Sequence, residues 1–169
     1  MRDLGALGGD SGMAFWINDA GESRRSSRSA GVGHQAHDAF LWRRGKMIDL
    51  GTVAGDPCSR ALSINSQGQI VGASTTCTEY LHGFLWEDGG PMIDLNALVI
   101  PGSGLTVRDG DQINDRGEIA GRGVLPNGDV HAILLIPSGE CNDDCEDRIA
   151  ASQSGGKAVE QVVRAAGQE

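Results

Sequence analysis

Apolar residues recur along the chain in short runs of strand length, each closed by a turn rich in Gly, Asn or Asp. The pattern is clearest over residues 61–74. Ala61-Leu62-Ser63-Ile64 alternates apolar and small polar residues, Asn65-Ser66-Gln67-Gly68 turns, and Gln69-Ile70-Val71-Gly72-Ala73-Ser74 returns. Period-two alternation on both sides of a Gly-containing turn predicts an antiparallel hairpin. A second hairpin follows, with arms Gly83-Phe84-Leu85-Trp86 and Pro91-Met92-Ile93-Asp94-Leu95 joined by Glu87-Asp88-Gly89-Gly90. Four antiparallel strands in about 45 residues is the content of one propeller blade.

The same order of markers occurs three times. Asp-Leu appears at Asp3-Leu4, Asp49-Leu50 and Asp94-Leu95, spaced 46 and then 45. Between these lie Ile17-Asn18-Asp19-Ala20-Gly21, Ile64-Asn65-Ser66-Gln67-Gly68 and Ile113-Asn114-Asp115-Arg116-Gly117. In that series Asn18, Asn65 and Asn114 read as turn residues, and Gly21, Gly68 and Gly117 supply the positive φ that such loops demand. A third marker is Asp38-Ala39-Phe40-Leu41-Trp42, repeated as His82-Gly83-Phe84-Leu85-Trp86 and more weakly as His131-Ala132-Ile133-Leu134-Leu135. The predicted fold is therefore all-β: about three four-stranded antiparallel blades over residues 1–137, with repeats near 3–48, 49–93 and 94–137. Residues 138–169 form an acidic tail that is expected to be mobile, in which 157–166 carries the pattern of a short amphipathic helix, marginal by itself.

The chain is expected to open on a fourth strand near residues 2–7, and the repeats end on a third strand near 130–137. The last blade then lacks its outer strand, which the N-terminal strand can supply, protecting exposed sheet edges. Three blades are fewer than the roughly four to eight of a closed ring. The expectation is a partial or open ring, with missing repeats or self-association.

Composition narrows the function. The chain holds 169 residues, 23 acidic against 14 basic, for a net charge of −9. Nucleic-acid surfaces need Lys and Arg to neutralise phosphate, so no nucleic-acid partner is expected. No apolar run reaches the roughly 18 residues of a membrane span. Glycine, at 26 residues, is about twice its usual share, as many tight turns require.

If Ile64 pairs with Val71, the same register carried outward sets Cys58 opposite Cys77, which favours a cross-strand disulfide over two free thiols. Cys141 and Cys145 are close enough in sequence to close a small loop. Zinc is their rival, but no second ligand pair is positioned for it. Asp109-Gly110-Asp111 and Asn142-Asp143-Asp144 offer hard oxygen ligands of the kind calcium takes, without the order of an EF-hand loop. No catalytic, cofactor-binding or metal residues are assigned.

His82 and His131 recur at the start of the third strand. Recurrence favours a structural hydrogen bond to a neighbouring turn over a catalytic role. Trp42 and Trp86, with Trp16, are expected to pack between blades; a sugar-stacking platform is the functional alternative.

These segments resemble the HAF-repeat family of predicted extracellular bacterial proteins, built around His-Ala-Phe-Leu-Trp, Asp-Leu-Gly and Ile-Asn-x-x-Gly-x-x-x-Gly. The first appears as His82-Gly83-Phe84-Leu85-Trp86, the second as Asp49-Leu50-Gly51, and the third is best kept in residues 64–72 and 113–121. The resemblance covers residues 2–137. It implies a secreted, propeller-like repeat protein and carries over no catalytic residues.

One stretch departs from the pattern. Glu22-Ser23-Arg24-Arg25-Ser26-Ser27-Arg28-Ser29 stands where an apolar second strand should follow, and reads as a degraded or inserted strand left by a short coding-frame slip. Met1-Arg2-Asp3-Leu4-Gly5 shows no apolar leader, so the extracellular expectation rests on the resemblance and the cysteines, with a truncated N-terminus. The functional expectation is non-enzymatic recognition or adhesion toward an extracellular glycan or protein. The alternatives are a secreted polysaccharide hydrolase or lyase using central carboxylates, and a structural or degraded gene fragment.

Overall fold

The protein is described as a computed structural model over residues 4, 8–12, 16–19, 21–29, 37–87, 89–99, 102–137 and 159–162. For Trp16, residues 8–12, 23–29 and 159–162, the description is of backbone alone. The described chain is all-β, with one short 3-10 turn at Leu95–Ala97.

Three antiparallel meanders follow one another. The first comprises β1 (Gly8–Gly12) and β2 (Trp16–Ile17), which share one side of β3 (Ser23–Ser29), then β4 (His37–Arg43) and β5 (Lys46–Gly51). The second is β6 (Cys58–Ile64), β7 (Ile70–Thr75), β8 (Tyr80–Trp86) and β9 (Ile93–Asp94). The third is β10 (Thr106–Ile113), β11 (Ile119–Val124), β12 (Val130–Pro137) and β13 (Val159–Val162). Apart from β1 and β2, which both pair with β3, strands neighbouring in sequence are neighbours in each sheet.

The sheets stack by a repeated rule. β6 lies against β3 and β4 of the first sheet, and β10 lies against β7 and β8 of the second. Two cores result. Ala39 and Leu41 of the first sheet pack with Ala61, Ile64, Ile70, Phe84 and Trp86 of the second. From the opposite face of the second sheet, Val71 and Leu95 pack with Val107, Ile113, Ile119, Ile133 and Leu135 of the third. Alternation along each strand is thus used on both faces of the middle sheet. Among the described residues the first and third sheets share no extended contact, so the array is open.

The structure corrects several expectations. In the β6–β7 hairpin Ile64 pairs with Ile70 and Ser63 with Val71, and a bulge between Ala61 and Ser63 shifts the register again, so that Cys58 faces Thr75, not Cys77. The disulfide Cys58–Cys77 forms nonetheless, with Cα atoms 5.1 Å apart. Beyond Thr75 the chain turns back: Cys77 adopts φ 79° and its amide donates to Thr75 Oγ1 at 2.9 Å.

Ser23–Ser29 is a full seven-residue strand, paired with β4 over residues 23–28 and with β1 and β2 on its other side. Ladder hydrogen bonds are made by the backbone, so a polar sequence holds this place between two partners. Residues 159–162 form strand β13 on the outer edge of β12, pairing Leu134 with Val162, where a mobile tail with at most a short helix was expected. A ten-residue helix is marginal by itself, whereas the open β12 edge offers unpaired N–H and C=O groups to a Val-containing segment. The missing outer strand therefore comes from the C-terminal side. The expected fourth strand near 2–7 lies outside the described residues except for half-buried Leu4, as do Asp3, Cys141, Cys145 and Asn142-Asp143-Asp144.

A candidate anion-binding cleft opposite an asparagine ladder

At one end of the sheets the three Ile-Asn loops share one geometry. In each, the Gly amide donates to the Asn carbonyl: Gly21 to Asn18, Gly68 to Asn65 and Gly117 to Asn114. The glycines stand at φ 75°, 81° and 78°, a region that a side chain disfavours. The Asn Oδ1 closes each loop by accepting the amide four residues on, from Glu22, Gln69 and Glu118. The Asn side-chain amide then reaches the next loop. Asn18 Nδ2 donates to the Asn65 carbonyl at 3.2 Å, and Asn65 Nδ2 to the Asn114 carbonyl at 3.1 Å.

The other markers have similar local duties. Asp49 Oδ1 accepts the Gly51 amide and Asp94 Oδ1 accepts the Asn96 amide, while the following Leu50 and Leu95 are buried. His82 Nδ1 bonds Asp56 Oδ2 at 2.8 Å, joining the third strand to the loop before β6. His131 occupies the same place at the start of β12, opposite Gly123. Trp86 is buried in the core between the first two sheets and has no face for a sugar. Trp42 is half-buried, and the side chain of Trp16 lies outside the described residues.

The opposite end of the sheets opens into a cleft of about 540 Å³, walled by the Cys58–Cys77 disulfide, the loop at Thr78 and Glu79, and the strand ends at Arg60, Arg108 and Arg122. Tyr80, the single tyrosine of the chain, organises it. Its hydroxyl accepts Arg60 Nη1 at 3.3 Å, its carbonyl accepts Arg108 Nη1 at 3.4 Å, and the Arg122 guanidinium lies 5.2 Å from its ring centroid.

The three arginines are not equivalent. Asp109 is fully buried, and both its oxygens are held by Arg122: the backbone amide donates to Oδ1 at 2.9 Å, Nε to Oδ2 at 2.8 Å, and Nη2 also to Oδ2. The Asp109 hydrogen bond holds the Arg122 pKa above the ordinary arginine value. Beside it, burial and the Asp109 charge push the Asp111 carboxyl up. Asp109 and Asp111 therefore lie on a strand, with Asp109 committed to an ion pair, and do not form an oxygen-lined cation loop. Arg60 and Arg108 differ, because the bonds described for their guanidinium groups run to neutral oxygens of Tyr80. A guanidinium without a carboxylate partner keeps its charge and its remaining donors for an anion.

None of these cleft residues belongs to the recurring markers of the sequence. Their signal was faint: three of 14 basic residues in an acidic chain, Arg60 and Arg108 near the starts of the equivalent strands β6 and β10 and Arg122 on β11. Searches against protein-family models, curated proteins and solved structures gave no match for this chain.

Proposed function

We propose that the chain is a non-enzymatic, secreted repeat module of the HAF-like, propeller-like type that recognises an acidic extracellular glycan through the Tyr80 cleft. The observation carrying this reading is Arg60 and Arg108 converging on Tyr80 in a protein of net charge −9. A local cationic cleft on an otherwise acidic surface concentrates anions at that one place. Uronate or sulfate groups match the planar guanidinium donors, and the tyrosine ring offers a face to sugar C–H groups. The repeated placement of each sheet on the preceding one supports the propeller-like arrangement, and the disulfide supports an oxidising compartment.

A glycoside hydrolase of the usual kind needs a pair of free carboxylates at defined separation. Of the cleft carboxylates, Asp109 is held by Arg122 and Glu79 stands at the wall. Calorimetric titration with an oligouronate and with a neutral oligoglucoside, beside a reducing-end assay, tests the proposal. The oligouronate binds, added salt weakens it, and Arg60→Ala with Arg108→Ala lowers affinity at least about tenfold without new reducing ends. Equal affinity for the neutral sugar, or binding indifferent to both substitutions, rejects it. Turnover places the protein in the enzyme class.

A further inference from the structure

We infer that a second copy of this chain docks head to tail on both open ends of the array, and that the two copies close a ring of six sheets. The contacts that join neighbouring sheets within the chain each stop with their donors or acceptors waiting at the ends.

The asparagine ladder shows this first. The carbonyls of Asn65 and Asn114 each receive their own loop glycine and the side-chain amide of the preceding Asn. The Asn18 carbonyl receives Gly21, and among the described residues no amide from another repeat reaches it. Each ladder Asn Nδ2 also bonds the side chain four residues on, Glu22, Gln69 or Glu118, and at the far end Asn114 makes that bond without a second one to a following loop among the described residues. A parallel contact runs from the Ser66 amide to Asp115 Oδ1 at 2.9 Å, and Asp19 presents a carboxylate at the equivalent place of the first loop.

The apolar faces agree. Leu41, Leu85 and Leu134 hold the same position in the third strands, on the side that receives the next sheet. Leu41 is 0% exposed, Leu85 is half-buried against the second core, and Leu134 is 39% exposed. Ile17, Ile64 and Ile113 hold the same position at the end of the first strands, on the side that meets the preceding sheet. Ile64 is 4% exposed, Ile113 8% and Ile17 65%. Ala120 and Ala132, both exposed, flank Leu134 on the free face of the third sheet. The residues that seal sheet to sheet inside the chain are thus uncovered at its two ends, on complementary surfaces.

A second copy supplies what each end lacks: its Asn18 carbonyl and Ile17 meet Asn114 and Leu134 of the first. Such a heterologous contact either closes or propagates. Two copies of three sheets give six, within the roughly four to eight sheets of closed rings, whereas one copy falls below that range and three exceed it.

Light scattering of the oxidised full chain across a dilution series tests this. The expected mass is that of two chains. Leu134→Glu and Ile17→Glu, both at exposed positions of the single chain, each lower it to one chain while a cooperative melt and the Cys58–Cys77 disulfide are retained. Mixing the two variants restores two-chain mass, because the pair keeps one intact head-to-tail contact. A wild-type mass of one chain, a continuing series of larger masses, or a dimer indifferent to both substitutions overturns the inference.

Discussion

The side chain of Asn65 donates to the main-chain carbonyl of Asn114 across 49 residues of sequence, binding two loops of the same shape into one ladder. Asn65 is buried, and its Oδ1 also accepts the amides of Gln67 and Gln69. Removing it leaves the amides of exposed Gln67 and half-buried Gln69 and the Asn114 carbonyl without that partner, so Asn65→Ala is expected to destabilise by about 1–3 kcal/mol. Asn114→Ala, at an exposed loop, costs less. Urea unfolding of the two variants checks the order.

Gly72 and Gly121 occupy equivalent places in the second strands, facing the bulges of β6 and β10. A Cβ would fall 2.1 Å from the Arg60 carbonyl oxygen at Gly72 and 2.2 Å from that of Asp109 at Gly121. Both neighbours are backbone and have little room to retreat. Gly72→Ala is expected to destabilise by about 3 kcal/mol or more, at the upper end for overpacking. Gly51→Ala, where φ is 77° but no atom lies within 4 Å, is expected near 1 kcal/mol. Similar losses at both positions, measured by thermal melts, would contradict the close-approach explanation.

The disulfide closes a separation of 19 residues and forms one wall of the cleft. Reduction is expected to lower stability by about 3 kcal/mol, the scale for loops of this size. On the proposed function, oligouronate affinity is expected to fall with it, because the Thr78 and Glu79 loop loses its tether. Alkylation followed by peptide mass mapping should label Cys58 and Cys77 only after reduction.

Arg122 and Asp109 differ in burial: the carboxylate is fully enclosed while the guanidinium is about half exposed, at 49%. Losing the arginine strands a buried charge, whereas neutralising the aspartate frees a cation that water can solvate. Arg122→Ala is therefore expected to destabilise more than Asp109→Asn, by about 2–3 kcal/mol after allowance for screening. Asp109→Asn also adds an unpaired guanidinium to the cleft and, on the proposed function, is expected to raise affinity for an oligouronate. A reversed stability order in denaturant unfolding would reject the assignment of burial to the carboxylate.

Acid acts on the ladder end. Burial tends to raise the Glu22 carboxyl, but hydrogen bonds from Arg43 and Asn18 outweigh it and hold the group below its ordinary value of 4.5. The Arg116 and Asn114 hydrogen bonds do the same for Glu118. A group depressed in the folded state stabilises fully above its unfolded pKa, and that contribution is lost as pH falls through the folded pKa. The melting temperature should therefore drop below about pH 4.5, and less steeply in Glu22→Gln. Asp111 has the opposite sign, being raised by burial and by Asp109. Asp111→Asn should stabilise at neutral pH, with the gain vanishing in acid.

Much of the architecture could be read directly from local chemistry. Ile-Asn-x-x-Gly names the hairpin loop because Gly supplies the positive φ and Asn closes the turn with its own side chain. Asp-Leu names the end of the fourth strand because Asp accepts the amide two residues on and Leu enters the core. Such interactions span two to four residues, so a repeated motif determines them wherever it occurs.

Other features depend on distant parts of the chain. The register at the turn, with Ile64 opposite Ile70, and the bulge after Ala61 together moved Cys58 away from its expected opposite, and only the reversed path at Cys77 brought the sulfurs together. The polar strand Ser23–Ser29 and the C-terminal strand Val159–Val162 are held by partners already in place, which outweigh their own weak preferences. The cleft joins Arg60, Tyr80, Arg108 and Arg122 from two sheets, at no fixed spacing. By itself the sequence determined turns, strands and their threefold order, because hydrogen bonds over a few residues suffice for these. Tertiary structure alone decided which charges are neutralised, which faces are covered and where a ligand can enter, because burial and pairing depend on neighbours that only stacking of the sheets supplies.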